Sequence, residues 1–318
     1  MIKALPILGN SKINQIAFVV QDIEQASEAF AKLLGIKKQE WFLTGTSDIS
    51  KVVFRGEPTA SRSKLVFINT EGVQIELIEP DHEPGTMREF LNTVGEGIHH
   101  IAFDVESMNK GLQNMKEHSL SVLQKGEFTS SNGRYAYVDS LQQYKTLIEL
   151  LERDESQNIS LPESDPPSLL GTTKIEQLAF VVKDLDAAAE SYCTLLGVDK
   201  PEVIQSGSSE ICQVEFEGKP TEADSKYMFI NTPMLQIELI EPGNAPSTWK
   251  KHLEKLGEGI HHISFVVKNL EEKIHVLQEM GYPVIQRGNF YNGKGRYAYM
   301  DTTSDYKVII ELLEKYER

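Results

Sequence analysis

The chain has 318 residues, enough for about two domains, with the apolar and charged fractions of a soluble globular protein. Its 32 basic against 47 acidic residues leave a formal net charge of −15, which argues against general affinity for nucleic acid or an anionic membrane. No apolar run is long enough to span a bilayer, Met1–Pro6 lacks a signal-peptide pattern, and Cys193 and Cys212 both lie in the second half, so a cytoplasmic protein without a disulfide framework is expected.

In chain order, residues 1–12 form a tail. The β-forming run Ile13-Asn14-Gln15-Ile16-Ala17-Phe18-Val19-Val20 predicts a strand over 13–20. Asp22 then caps a helix over 23–34, with Ile23, Ala26, Phe30, Leu33 and Leu34 at helical spacing, and Gly35 ends it. Three β-rich stretches follow near 50–55, 64–69 and 73–79. The turn Gly95-Glu96-Gly97 runs directly into Ile98-His99-His100-Ile101-Ala102-Phe103 and opens a second unit. Its strand covers 98–104, its helix lies near 107–117, and further strands lie near 122–127, 134–139 and 146–152. Residues 154–173, rich in Ser, Pro, Asp and Glu, form a linker.

After the linker the chain starts again. Gln15, Glu76, His100 and Glu149 return as Gln177, Glu238, His262 and Glu311, each at an offset of 162. A period this long marks a duplicated domain rather than a solenoid repeat. The reading is therefore an α+β chain of two domains, 13–153 and 174–318, each built from two βαβββ modules, four modules in all.

Strand side chains alternate between faces. Gln15 then shares a face with Ile13, Ala17 and Val19, Glu76 with Gln74 and Ile78, His100 with Ile98 and Ala102, and Glu149 with Leu147 and Leu151. His99 and His261 are expected to point outward as structural residues. One polar side chain among apolar neighbours on each of four strands is costly to bury unless something satisfies it. A divalent cation would, and Gln15, Glu76, His100 and Glu149, with Gln177, Glu238, His262 and Glu311, are the candidate metal ligands. Hydrogen bonds inside a barrel are the structural alternative for any one of them.

On these residues the chain resembles the vicinal oxygen chelate superfamily, which pairs βαβββ modules into a cupped mixed sheet around one metal. Gly-Glu-Gly-Ile-His-His-Ile-Ala-Phe followed by an Ile-Glu-Leu strand is similar to methylmalonyl-CoA epimerases, as are the preceding segments Met87–Leu91 and Trp249–Leu253. That resemblance implies ligation by the second histidine of each pair, His100 and His262, and by Glu76, Glu149, Glu238 and Glu311. Epimerases carry a histidine in the first strand, where this chain has Gln15 and Gln177. Glutamine there resembles instead the ligand set of glyoxalase I (lactoylglutathione lyase).

A nitrogen, an amide oxygen and two carboxylates suit zinc, nickel, cobalt or manganese. Such a centre would polarise a chelated carbonyl and support proton abstraction beside it through an enediolate or enolate, a lyase or isomerase reaction. Glu149 and Glu311 are the expected bases, with Glu76 and Glu238 facing them to return the proton. The expected partner is a small molecule, anionic or a thioester or thiohemiacetal, and the duplication suggests a monomer in which a family dimer has been fused. Two rivals remain: a non-heme iron ring-cleaving dioxygenase, and a non-catalytic drug-binding protein of the same superfamily. Arg134, Tyr135 and Tyr137, with Arg296, Tyr297 and Tyr299, would contact a substrate or simply pack the strand. Cys193 and Cys212 are read as structural.

Overall fold

A computed structural model describes residues 5–154, 161 and 167–316. The first half runs β1 (Gln15–Val19), α1 (Ile23–Leu34), β2 (Phe42–Leu43), α2 (Ser47–Ser50), β3 (Val53–Phe54), β4 (Glu57–Pro58), β5 (Ser63–Ile68) and β6 (Gln74–Pro80). It continues with α3 (Thr86–Thr93), β7 (Gly97–Asp104), α4 (Met108–Glu117), β8 (Val122–Glu127), β9 (Gly133–Val138), α5 (Leu141–Tyr144) and β10 (Leu147–Arg153). The second half repeats it as β11 (Gln177–Val181), α6 (Leu185–Leu196), β12 (Ile204–Gln205), α7 (Ser209–Cys212), β13 (Glu215–Phe216), β14 (Lys219–Pro220), β15 (Ser225–Asn231) and β16 (Gln236–Pro242). It closes with α8 (Thr248–Lys255), β17 (Gly259–Val266), α9 (Leu270–Glu279), β18 (Val284–Asn289), β19 (Gly295–Met300), α10 (Thr303–Tyr306) and β20 (Ile309–Lys315).

Each half is one curled ten-stranded sheet, in the order β2-β5-β6-β1-β7-β10-β9-β8-β3-β4 and its repeat. β1 pairs parallel with β6 and antiparallel with β7, and β7 pairs parallel with β10. The seam between the two modules is therefore β1 against β7. One face carries Ile16, Phe18, Ile75, Leu77, Ile101, Phe103, Ile148 and Leu150, all fully buried in the main apolar core. Each such side chain contributes roughly 1.5–3 kcal/mol by leaving water. The opposite face forms the cup and carries Ala17, Val19, Ile78 and Tyr137, which cluster with Met87 of α3.

Local chemistry sets the helix ends. The Asp22 carboxylate accepts from the Gln25 backbone N–H, and Gly35, at φ 64°, returns its N–H to the Ala31 carbonyl. Asp184 and Gly197 repeat this at α6. The expected strand over 50–55 is corrected. Residues 47–50 form a helical turn, and Lys51 and Arg55 take left-handed φ of 45° and 50°, which leaves a strand of two residues. That strand pairs with β8 of the other module, while the unforeseen β2 takes the edge beside β5. Ile13 also lies before its strand and joins the helix-side core rather than the face of Gln15.

The halves meet through reciprocal contacts at the 162-residue offset. Lys145 pairs with Glu258 at 3.1 Å, and Lys307 with Glu96 at 3.0 Å. Tyr144 packs on Tyr192, and Tyr306 on Phe30, each with ring centroids 5.4 Å apart. These are the self-complementary contacts of a two-fold interface, made within one chain. Residues of the tail strap it: the Ile7 N–H donates to the Leu195 carbonyl at 3.0 Å, and Asn114 donates to the Ile7 carbonyl at 2.6 Å. Of the linker, 155–160 and 162–166 lie outside the described residues, while Ser168 and Leu169 both donate to the Leu33 carbonyl.

Candidate metal centres

Four adjacent strands, β6, β1, β7 and β10, bring Glu76, Gln15, His100 and Glu149 to the cup face of the first half. Ala17 lies opposite both Glu76 and His100, and Ala102 lies opposite both Gln15 and Glu149. Two small residues thus leave the space that four long polar ones fill. His100 Nε2 is 3.0 Å from Glu149 Oε2 and 3.5 Å from Glu76 Oε2. In the second half His262 Nε2 is 3.1 Å from Glu311 Oε2 and 3.3 Å from Glu238 Oε2. The potential ligand atoms of each triad lie within 4.8 Å of one another. Each set of four belongs to one half, so neither centre is shared between halves.

All eight side chains are buried, the two histidines completely. Even so, His100 Nε2 and Glu149 Oε2, like His262 Nε2 and Glu311 Oε2, make no hydrogen bond despite approaches of 3.0 and 3.1 Å. Buried polar atoms left in this state call for a partner. A divalent ion between one imidazole and two carboxylates supplies it, so the donor sets fit a metal. Burial alone would depress the His100 pKa, but the charge of Glu149 and the contacts with Glu149 and Glu76 outweigh it and carry it up to about 9. His262 is likewise carried to about 9 by Glu311 and Glu238. Burial raises Glu76 and Glu238 above the usual carboxylate range, against the pull of the adjacent histidine. Without a metal, each triad therefore retains a proton in neutral solution.

The first-strand glutamines differ in their surroundings. Gln15 donates to Gln74 Oε1 at 2.8 Å, and Gln177 to Gln236 Oε1 at 2.7 Å. In the second half Gln177 Oε1 also accepts from the Ser264 hydroxyl at 2.9 Å, whereas the first half has Ala102 at that position.

His99 and His261 depart from expectation. The β1–β7 register slips between Ala17 and Phe18, so that Ala17 faces His100 while Phe18 faces Ile98. This bulge leaves His99 as the extra residue and turns it into the cup, while Ile98 goes to the helix-side core instead of sharing the face of His100. His99 is buried between Phe90 and Tyr137, and its Nδ1 lies 2.9 Å from His100 Nδ1. Burial and the neighbouring His100 hold the His99 pKa well below its usual value. A neutral His99 offers a lone pair at Nδ1, so His100 carries its proton at Nδ1 and turns Nε2 to the carboxylates. His261 and His262 repeat the contact at 2.8 Å.

Above each centre is a cavity, of about 410 Å³ in the first half and about 250 Å³ in the second. Tyr135 and Tyr137 line the first and Tyr297 and Tyr299 the second, whereas Arg134 and Arg296 are committed to Glu152 and Glu314. Met87 and Trp249 close the two cavities from α3 and α8. Gln124 and Gln286 were not singled out from the sequence; each accepts from the first backbone N–H of that helix, at 2.9 and 2.8 Å. The sequence signal is only that both copies carry glutamine at the same strand position, after two apolar residues. Cys193 is buried on α6, and Cys212 is buried on the wall of the second cavity.

A cupped βαβββ pair enclosing a buried Glu-His-Glu set is the architecture of a vicinal oxygen chelate domain, present here twice. The chain belongs to the Glyoxalase/Bleomycin resistance protein/Dioxygenase superfamily, whose model matches residues 14–138 and again 176–300. Among curated relatives, an uncharacterised Bacillus subtilis protein, YqjC, is 32% identical over 87 residues, 27% of this chain and 62% of that protein. Mitochondrial methylmalonyl-CoA epimerase of Bos taurus is 24% identical over 131 residues, 41% of this chain and 66% of the enzyme. The chain thus spans just under two thirds of these relatives. A solved mutant of 4-hydroxymandelate synthase from Streptomyces coelicolor shares the fold at TM-score 0.60 and 13% identity, covering 96% of this chain and 93% of the other. Among the described residues, no helix is long and apolar enough to cross a membrane.

Proposed function

We propose that the chain is a metal-dependent lyase or isomerase that abstracts a proton beside a chelated carbonyl, with one site in each half. The observation that carries this reading is the pair of buried Glu-His-Glu triads, each with an unpartnered imidazole Nε2 and carboxylate Oε2 on the floor of a cavity. Gln15, Glu76, His100 and Glu149 would hold the ion in the first half, and Gln177, Glu238, His262 and Glu311 in the second. Bound there, zinc, nickel, cobalt or manganese would supply Lewis acidity to two substrate oxygens.

The protein groups do the remaining work. Glu149 and Glu311 take the proton from the carbon next to the carbonyl. Glu76 and Glu238 face them from the opposite side and return the proton. Tyr137 and Tyr299 are held protonated by burial and by the facing carboxylates, so each wall presents a neutral hydroxyl rather than a phenolate. The substrate is a small 2-oxo, 2-hydroxy or thioester compound, and the chain acts as a monomer whose halves replace the two subunits of a dimer. A dioxygenase reading calls for two histidines and one carboxylate at the ion. His99 stands against it, because its Nδ1 is engaged with His100 rather than with the carboxylates.

The test is solvent deuterium exchange at the carbon beside the carbonyl. It is run over a panel of 2-oxo, 2-hydroxy and thioester compounds, with each metal restored in turn to chelator-treated protein. Exchange that requires metal and is lost on substituting Glu149 and Glu311 together supports the proposal. Metal-independent exchange, or full exchange in that double variant, refutes it.

A further inference from the structure

The two centres repeat their ligands, but the walls above them do not repeat. Met87, at the start of α3, becomes Trp249 in α8, and Leu65 on β5 becomes Tyr227 on β15. Both replacements are larger, and both line the cavity of their half. Trp249 is 2% exposed and fixed: its indole N–H donates to the Tyr299 hydroxyl at 3.2 Å, and its ring packs edge-on to Tyr227 and Tyr299. Met87 makes no such anchoring contact with Tyr137; its sulfur accepts from the Thr86 hydroxyl at 3.0 Å. A thioether on three rotatable bonds yields to a ligand, and an indole held by Tyr227 and Tyr299 does not. Thr129, which lines the first cavity, becomes the larger Tyr291 in the second, while Ser61 becomes the smaller Ala223. The cavities are about 410 and 250 Å³, a difference in the direction expected from the bulkier Trp249, Tyr227 and Tyr291.

We infer that the two sites are specialised by size. The first takes a two-oxygen chelating head that carries an extended chain, and the second takes the same head on a short substituent. Met87 and Leu65 against Trp249 and Tyr227 set the difference. This rests on the proposed function only for the head group; the length limit comes from the walls. One chain would then serve two substrates of the same chemistry, rather than one substrate twice.

The experiment uses the full chain with cobalt restored and straight-chain alkyl hydroxamates, which present two vicinal oxygens on a tail of chosen length. His262→Ala leaves only the first centre and His100→Ala only the second. Trp41→Phe in the latter makes Trp249 the sole tryptophan, so that its fluorescence reports the second cavity directly. Affinity should rise with chain length at the first site and fall at least about tenfold beyond a short chain at the second. Trp249→Met should lift the limit at the second site, and Met87→Trp should impose it at the first. Equal length dependence at the two isolated sites overturns the inference. So does a folded, cobalt-loaded Trp249→Met chain that keeps its limit. A chain that takes up no metal at either site overturns the proposed function itself, and the size assignment falls with it.

Discussion

In the metal-free chain each triad retains a proton, and metal uptake must expel it. With His100 carried up to about 9, loading the site at pH 7 costs about two pKa units, roughly 3 kcal/mol, before any ligation is counted. Apparent affinity at each site should therefore rise close to tenfold per pH unit between pH 7 and about 9, and then level off. One proton per metal should appear in solution at pH 7. Competition against a chromophoric chelator across this range gives the slope, and calorimetry in buffers of different ionisation enthalpy counts the protons.

The same shift has a signed consequence for stability. The folded pKa lies above the unfolded value of about 6.5, so the stabilisation is fully present below pH 6.5 and is lost as pH rises through 9. For the fully buried His100 the amount at stake is about 3 kcal/mol, with a similar contribution from His262. The chelated chain should lose that stability between pH 6.5 and 9, and the metal-loaded chain should not. Flat metal affinity from pH 7 to 9, with no proton released, would refute the reasoning.

Three further outcomes are expected. Glu149→Gln with Glu311→Gln should lower metal-dependent deuterium exchange by about 10²–10⁴-fold in the substrate that the panel identifies, as expected for loss of a general base. His99→Phe, which keeps an aromatic ring but removes the acceptor facing His100 Nδ1, should weaken metal binding at the first centre by about 10–100-fold and leave the second unchanged, as read by chelator competition with His262→Ala and His100→Ala as references. Gly133→Ala should destabilise the chain by about 2 kcal/mol or more in denaturant unfolding, because φ there is 154° and an added Cβ would lie 2.3 Å from the Glu152 carbonyl oxygen.

The elements that can be read from the sequence are those whose cause is local. Asp22 and Gly35 mark the ends of α1 because a carboxylate cap and a left-handed glycine act on their immediate neighbours. Alternation places Gln15, Glu76 and Glu149 on one face because β1, β6 and β10 run through those positions without interruption. It misplaces Ile98 and His99 because a bulge shifts the period by one residue, and the alternation itself carries no mark of the bulge. The 50–55 stretch fails for a related reason. Lys51 and Arg55 take a left-handed conformation that their residue types do not announce, and the chain leaves its own module to pair across the sheet. The cavity walls lay further still from the sequence, since Met87 and Trp249 become wall residues only once α3 and α8 are docked over the cup.

The glutamate of the Gly-Glu-Gly turn shows why motif and ligand set need separate explanations. Glu96 lies three residues before His99, yet it is not at the centre. Its carboxylate accepts from the Gln21 backbone N–H at 2.8 Å and pairs with Lys307 of the other half. Lys307 ends α10 and stands two residues before β20, the strand that carries Glu311. Glu258 makes the mirrored contacts with the Lys183 N–H and Lys145. Each ligand-bearing histidine strand is thus tied at its entry to the start of the other half's glutamate strand. A half cut free of its partner would keep all four candidate ligands but would lose this tie at both strands and expose the Phe30 and Tyr144 packing surfaces. The duplication therefore supplies each site with support for its strands rather than with ligands, and so the two walls could diverge without disturbing either centre.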